Sequence, residues 1–215
     1  MIISFRHKYI FVHAPKTGGT SLSLALEARL GKEDISIGDT PKAKKRKHRL
    51  KAMSARGRLW KHSTLRDIDG VVSEQQLSEM CVVTLVRNPW DRLVSYYHWA
   101  KEQEFDHPAI GLAKALSFPQ FLQHPTIQTA FEAQPAASYV TDAAGNERCD
   151  HYVRLEHLAQ DLKPFEAHLG FNLLPLAHEN ASQRRPDYQD YYSAADRDLV
   201  ARFCHVDIDR FGYIF

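Results

Sequence analysis

Apolar residues along this chain gather in short continuous runs, each followed by a stretch with helical periodicity. Tyr9-Ile-Phe-Val-His13 is aromatic and branched without interruption and ends at Ala14-Pro15. That pattern predicts a buried strand. Gly18-Gly19 then mark a tight turn. Leu22, Ala25, Leu26 and Leu30 recur at helical spacing, with Thr20 or Ser21 to cap the start and Gly31 to close the end. Cys81-Val-Val-Thr-Leu-Val86 repeats the arrangement. It is a run of the kind that fills the centre of a parallel sheet, and a helix follows through Trp90, Leu93, Val94, Tyr97 and Ala100. There Asn88 is the expected cap and Pro89 the first helical residue. Tyr152-Val-Arg-Leu155 predicts a third short strand, with a helix over 156–168 closed by Gly170. Further helices are expected around 64–69, 73–80, 117–123 and 127–133, and from Ser193 to Cys204, with the aromatic tail 207–215 packed down. Strands alternating with helices predict an α/β fold with a mainly parallel sheet.

The length of 215 residues fits a single domain over 1–215. A charged fraction of 25% with 44% hydrophobic residues excludes a disordered chain. No apolar run reaches the roughly 18 residues of a membrane span, and the apolar start at residues 1–5 is too short for a secretory signal. Cys81, Cys149 and Cys204 are odd in number and widely spaced. Neither a disulfide framework nor a paired-cysteine metal site is expected, and a cytoplasmic location is the simplest reading.

The net charge of +2 hides an asymmetry. Residues 40–66 hold 11 Lys and Arg and no acid, whereas the rest of the chain sets 17 basic side chains against 26 acidic ones. An anionic partner is implied. Lys42 to Lys51 reads either as a mobile loop or as a solvated helix, within a basic insertion at about 40–61.

Ala14-Pro-Lys-Thr-Gly-Gly-Thr-Ser21 joins the first strand to its helix. Gly18 and Gly19 let the backbone approach an anion, and the helix start supplies unpaired N–H groups and a positive dipole end. Lys16 adds a cation, while Thr17, Thr20 and Ser21 add hydroxyls. Phosphate binding is the physical reading. A Walker A loop needs its lysine after the glycines, whereas Lys16 precedes them. At the second strand end, Arg87 carries a permanent forked charge suited to a phosphate, and Ser95 stands on the same side of the following helix. Asp91 and Arg92 are expected to support the fold, and Trp90 to be core or a wall beside the nucleotide.

Phe11-Val-His-Ala-Pro-Lys-Thr-Gly-Gly-Thr-Ser21 resembles the 5′-phosphosulfate loop of the sulfotransferases that use 3′-phosphoadenosine 5′-phosphosulfate (PAPS). The form is closest to the carbohydrate sulfotransferases, both Golgi-type and bacterial. Arg87-Asn-Pro-Trp-Asp-Arg-Leu-Val-Ser95 is similar to the family's 3′-phosphate motif without a mismatch. His178-Glu-Asn-Ala-Ser182, Tyr188 with Tyr191-Tyr192, and Asp207-Ile-Asp-Arg-Phe-Gly-Tyr213 follow in the family's order. Residues 32–60 and 101–150 match it poorly. The resemblance implies a P-loop-like three-layer fold, with a central sheet flanked by helices, and PAPS as donor with PAP as product. It implies no metal, and the sequence offers no metal-ligand motif either. Lys16, Thr17, Gly18, Gly19, Thr20 and Ser21 would hold the 5′-phosphosulfate, and Arg87 and Ser95 the 3′-phosphate. Lys16 would also stabilise charge on the leaving oxygen.

Transfer to a hydroxyl needs a proton acceptor, and histidine titrates in the right range. Of twelve histidines, His62 in Trp60-Lys-His-Ser-Thr-Leu-Arg66 is selected, because a His-x-Thr element between the two phosphate motifs resembles the family's catalytic position. His13 reads as structural and Glu156 as a support of the fold. Arg184 and Arg185 are candidates to lie over the nucleotide or face the acceptor. The acceptor is expected to be a carbohydrate hydroxyl. An acidic glycan facing residues 40–66 and a merely solvated basic segment are both open readings. A nucleotide kinase lacks its Walker lysine here. A nucleic-acid-binding module would rest on the basic segment alone, which interleaves no aromatic except Trp60, so no nucleic acid is expected.

Overall fold

The computed structural model describes residues 1–177 and 184–215, so the His178–Ser182 element lies outside the described residues. The chain forms two compact units, Met1–Val86 with Ala136–Asn180, and Arg87–Pro135 with Ala181–Phe215.

The first unit carries the sheet. Its strands are β1 (Ile2–Ser4), β2 (Tyr9–Val12), β3 (Ile35–Ser36), β4 (Cys81–Val86) and β5 (His151–Arg154), in the order β3-β1-β2-β4-β5. β2, β4 and β5 run parallel, as the continuous apolar runs require, whereas β1 pairs antiparallel with both β2 and β3. The sheet is therefore mixed, and the glycine loop follows a strand of its parallel half. The buried Thr84 hydroxyl donates to Val12 O at 2.9 Å and ties β4 to the end of β2 just before the glycine loop.

Alternate strand residues serve opposite faces. Tyr9, Phe11, Val83, Leu85 and Val153 pack with Leu22 and Leu26 of α1 (Gly19–Glu27) and with Phe165 and Leu169 of α10 (Lys163–Leu169). Ile10, Val12 and Val82 pack on the other side with Leu65, Ile68, Val72 and Tyr139. Helical and looped layers on both sheet faces give the α/β layering expected.

Several boundaries differ from the sequence reading. α1 starts at Gly19, with Gly18 as its cap, and ends at Glu27 rather than running on to Gly31. Residues 64–69 form turns and no helix. The Asp67 carboxylate accepts from Thr64 N at 2.8 Å and from the Thr64 hydroxyl at 3.0 Å, so side-chain bonds take the place of a helical ladder. α3 is the short Glu74–Ser78, with the Ser73–Gln76 capping box in place. The helix expected over 156–168 is interrupted. α9 (Leu158–Asp161) stops before α10, whose second residue, Pro164, has no N–H to continue the ladder. Gly170 closes α10 at φ 74°.

The basic segment is a helix, α2 (Pro41–Leu50), N-capped by the Thr40 side chain. Its cations divide by face. Lys42 donates to Glu27 O. Arg46 donates to Gly31 O and Asp34 O, both at 3.0 Å, and Arg49 to Lys32 O at 2.7 Å. These three sit at i, i+4 and i+7, along one helical stripe. They meet carbonyls at and beyond the negative end of α1. The buried Glu27 carboxylate accepts from Ser36 and Thr40. Lys44, Lys45, Lys47 and Lys51 remain exposed.

The second unit is helical: α4 (Pro89–Lys101), α5 (Pro108–Ala115), α6 (Phe118–Gln123), α7 (Pro125–Glu132), α11 (Ala194–Phe203) and α12 (His205–Phe211). The four-residue α8 (Ala136–Tyr139) belongs to the first unit. Trp90, Leu93, Val94, Tyr97, Phe121 and Val200 form the second unit's core. The Asn88 Oδ1 accepts from Trp90 N at 3.1 Å while its Nδ2 donates to Ile214 O at 2.9 Å, so one side chain caps α4 and holds the tail. Phe215 packs edge-on against Trp90, Tyr188 and Tyr192.

Candidate active site

In the first unit the loop between β2 and α1 is built by its own residues. Lys16 has φ 64°, a left-handed conformation that costs a residue with a Cβ roughly 1 kcal/mol. The Thr17 hydroxyl donates back to Ala14 O at 2.9 Å, and Thr17 is buried. The hydroxyl proton of Thr17 thus shapes the loop. Gly18, at φ 84°, caps α1 without a side-chain bond, and the first turn holds no acid. The N-cap therefore offers no side chain of its own to the first N–H groups of α1, and a helix start carries the positive end of its dipole. Thr20 and Ser21 stand half-buried in that turn.

Gly19 meets the next layer. A Cβ there would collide with the buried His13 ring, which cannot swing aside as a surface side chain would. His13 in turn lies 4.8 Å from the His62 ring, edge to face. The His62 Nδ1 is 2.7 Å from His13 O. A carbonyl only accepts, so Nδ1 carries the proton and donates, and Nε2 is left with its lone pair. Burial pushes the pKa of His62 down to about 4, against the partial support of the His13 carbonyl, and burial also holds His13 well below the ordinary histidine range. Both rings are neutral near pH 7. Loop glycine, His13 and His62 thus form one packed series that sets a neutral imidazole beside the glycine loop.

The segment bearing His62 is anchored on either side. Ser63 is fully buried, and its hydroxyl accepts from Trp60 N at 2.9 Å. Leu65 N donates to Tyr139 O at 3.0 Å. Lys61 pairs with Asp39 at 2.6 Å.

Gly19→Ala is expected to destabilise the protein by about 1–3 kcal/mol, because an added methyl must displace a packed ring. A thermal melt compared with that of Gly111→Ala, where an added Cβ meets nothing within 4 Å, checks this. An equal shift in both variants would show that the His13 contact carries no energy.

In the second unit, Arg87 leaves β4 and turns onto α4. Its Nε donates to Asp91 Oδ2 at 2.8 Å and its Nη2 lies 2.7 Å from the same oxygen. The other Asp91 oxygen receives Arg184. One half-buried carboxylate therefore yokes two guanidinium groups. Ser95 is buried one helical turn beyond Asp91, on the same face. Trp90 is core, with its Nε1 donating to Arg197 O at 3.0 Å. Arg185 instead stacks over Tyr191, 4.5 Å from the ring centroid. The Asp91 yoke escaped the sequence reading, although the i, i+4 spacing of Arg87 and Asp91 signals it.

Among the described residues, no group of three or more His, Cys, Asp or Glu is placed to hold a metal ion, and no helix is long and apolar enough to cross a membrane. Leu155 and the 3₁₀ turn holding Glu156 follow β5 directly, and the Leu155 side chain closes on the position a Cβ of Gly18 would occupy.

No curated protein matches the chain. Among solved structures, mouse sulfotransferase SULT7A1 complexed with PAP matches with a TM-score of 0.53 at 18% identity, covering 96% of this chain and 85% of that one. That likeness shows a shared fold. A family model described as the sulfotransferase family matches residues 1–213. The family match favours sulfuryl transfer over the phosphoryl transfer of a kinase. The chain belongs to the sulfotransferase family.

Proposed function

We propose that this protein transfers the sulfuryl group of PAPS to a carbohydrate hydroxyl, with His62 as general base and Lys16 as the electrostatic stabiliser of the leaving oxygen. The observation that carries the assignment of the base is the tautomer of His62. Its Nδ1–H is committed to His13 O at 2.7 Å, so its Nε2 accepts. The acceptor oxygen attacks sulfur in line. The new O–S bond forms as the S–O bond to the 5′-phosphate breaks, and the hydroxyl proton passes to Nε2. Positioning and charge stabilisation supply most of the rate. The backbone N–H groups of Thr17, Gly18, Gly19, Thr20 and Ser21 hold the 5′-phosphosulfate, with Lys16 over its leaving oxygen. The resemblance of their motif supports Arg87 and Ser95 as the holders of the 3′-phosphate, with Asp91 orienting the Arg87 fork. The chain acts as one catalytic domain. Three free thiols suit a reducing cytoplasm.

The pH dependence follows from burial. Because the pKa of His62 is lowered in the fold, the unfolded chain binds its proton more readily. This contribution to stability is complete above about pH 6.5 and is lost as pH falls from there through about 4. It amounts to a few kcal/mol. The melting temperature is expected to drop between pH 6.5 and 4, and His62→Gln is expected to flatten that slope. An unchanged slope in the variant would place the acid sensitivity elsewhere.

Asp91→Asn keeps the shape of the side chain and removes the charge that aligns Arg87. Weaker PAP binding by about tenfold, measured by calorimetry on a variant with wild-type circular dichroism, is the expected result. Unchanged binding would show that Asp91 only secures the helix start.

A further inference from the structure

Trp60 is 42% exposed, and it is the one large hydrophobic side chain left open among the described residues of the first unit. This exposure comes with a fixed backbone. Trp60 N donates to the buried Ser63 hydroxyl, which lies 2.8 Å from Arg58 O and 2.9 Å from Trp60 O. The indole is held at the surface by that turn. The Arg58 guanidinium sits over the ring, 5.4 Å from its centroid. The His62 imidazole stands edge-on to the same ring at 5.0 Å, with an interplanar angle of 89°. A flat apolar face, a cation and the proposed base are thus fixed around one point.

We propose that Trp60 and Arg58 form the acceptor platform of this enzyme, and that the acceptor they select is an acidic saccharide. The C–H face of a pyranose stacks on the indole, a uronate carboxylate on that chain meets Arg58, and a hydroxyl of the stacked ring is presented to Nε2 of His62. An aromatic ring recognises a sugar by its apolar face at little entropic cost, since the side chain has only two torsions. The acidity is read from the surrounding charge. Asp39, the acid beside this segment, is paired with Lys61. Lys61 and, further off, Lys44 of α2 hold the Asp39 carboxyl below the usual carboxylate range, so both lysines lie on this side of the segment. A neutral sugar or a phenol gains nothing from Arg58 and those lysines, whereas a polyuronate gains from each. Lys42, Arg46 and Arg49 contribute nothing here, because they are spent on the carbonyls at and beyond the end of α1.

This inference rests on the reading of His62 as the base, and the test separates the two. Wild-type protein loaded with PAP is titrated calorimetrically with uronate hexasaccharides (unsulfated chondroitin, polygalacturonate and polymannuronate) and with neutral cellohexaose. At least one uronate is expected to bind about tenfold or more tighter than cellohexaose. Trp60→Ala is expected to lose at least about tenfold for that uronate, and Trp60→Phe to recover most of it, with PAP affinity unchanged in both. Arg58→Gln is expected to erase the preference for the acid while keeping the residual neutral binding. Equal uronate affinity in wild type and Trp60→Ala overturns the proposal, as does no uronate binding by protein that binds PAP. Transfer from PAPS to 2-naphthol in preference to every saccharide also overturns it. Failure of the wild type to bind PAP would instead bring down the underlying functional reading, and this inference with it.

Discussion

Replacing His62 with alanine is expected to lower turnover about 10²–10⁴-fold while leaving PAP affinity within error of wild type. The size follows from the role. The imidazole is neutral near pH 7, because burial holds its pKa at about 4, and its tautomer is fixed by His13 O at 2.7 Å. A base prepared in this way needs no proton removed before it acts. The acid limb of kcat/KM is accordingly expected at about pH 4, well below the 6.5 of a free imidazole. His62→Gln restores a hydrogen bond to His13 O but not a base, so it should be as slow as alanine and better folded. If either variant loses PAP affinity and keeps turnover, His62 is a donor-binding residue and the base lies elsewhere.

The second large effect belongs to Lys16. Lys16→Ala is expected to reduce transfer from labelled PAPS by about 10²–10³, the usual cost of one lost donor to a developing anion. Lys16 sits at φ 64°, which offers an internal control. Lys16→Gly removes the charge and also relieves the left-handed strain, so its stability should equal or exceed that of Lys16→Ala. Activity falling in both, with stability higher in the glycine variant, separates chemistry from folding. Retained activity in both would remove Lys16 from the mechanism.

The two strand–turn–helix units were legible because each combines a continuous apolar run with local turn chemistry. The Asn88 cap, the Pro89 start and the left-handed Gly18 need only their neighbours in sequence. β1 and β3 were not legible. At three and two residues they carry no period of their own and exist only through pairing with β2 and with each other. The helix expected over 156–168 failed at Pro164, whose missing N–H outweighed an otherwise good apolar spacing. α5 was overlooked although His107 and Pro108 supply the cap and first residue that announce a helix start.

The geometry around His62 was not legible in the sequence. Nothing in Trp60-Lys-His62 says that Nδ1 meets a carbonyl 49 residues earlier in the chain, and that contact fixes the tautomer. The basic segment shows the same limit. Its sequence left a mobile loop and a solvated helix both open, and the division of α2 into structural and exposed cations depends on where the carbonyls at and beyond the end of α1 lie. Lys44, Lys45 and Lys47 are the residues free to meet an acceptor, whereas Arg46 is already bonded to Gly31 O and Asp34 O.

The most direct measurement is calorimetric titration of the wild type and Lys16→Ala with PAP, with ATP as the comparison ligand. PAP binding the wild type at least about tenfold tighter than ATP is the expected result, because only PAP offers the 3′-phosphate assigned to Arg87 and Ser95, and Lys16→Ala should bind PAP more weakly. Affinity for ATP equal to or above that for PAP, or PAP affinity indifferent to Lys16, would contradict the account.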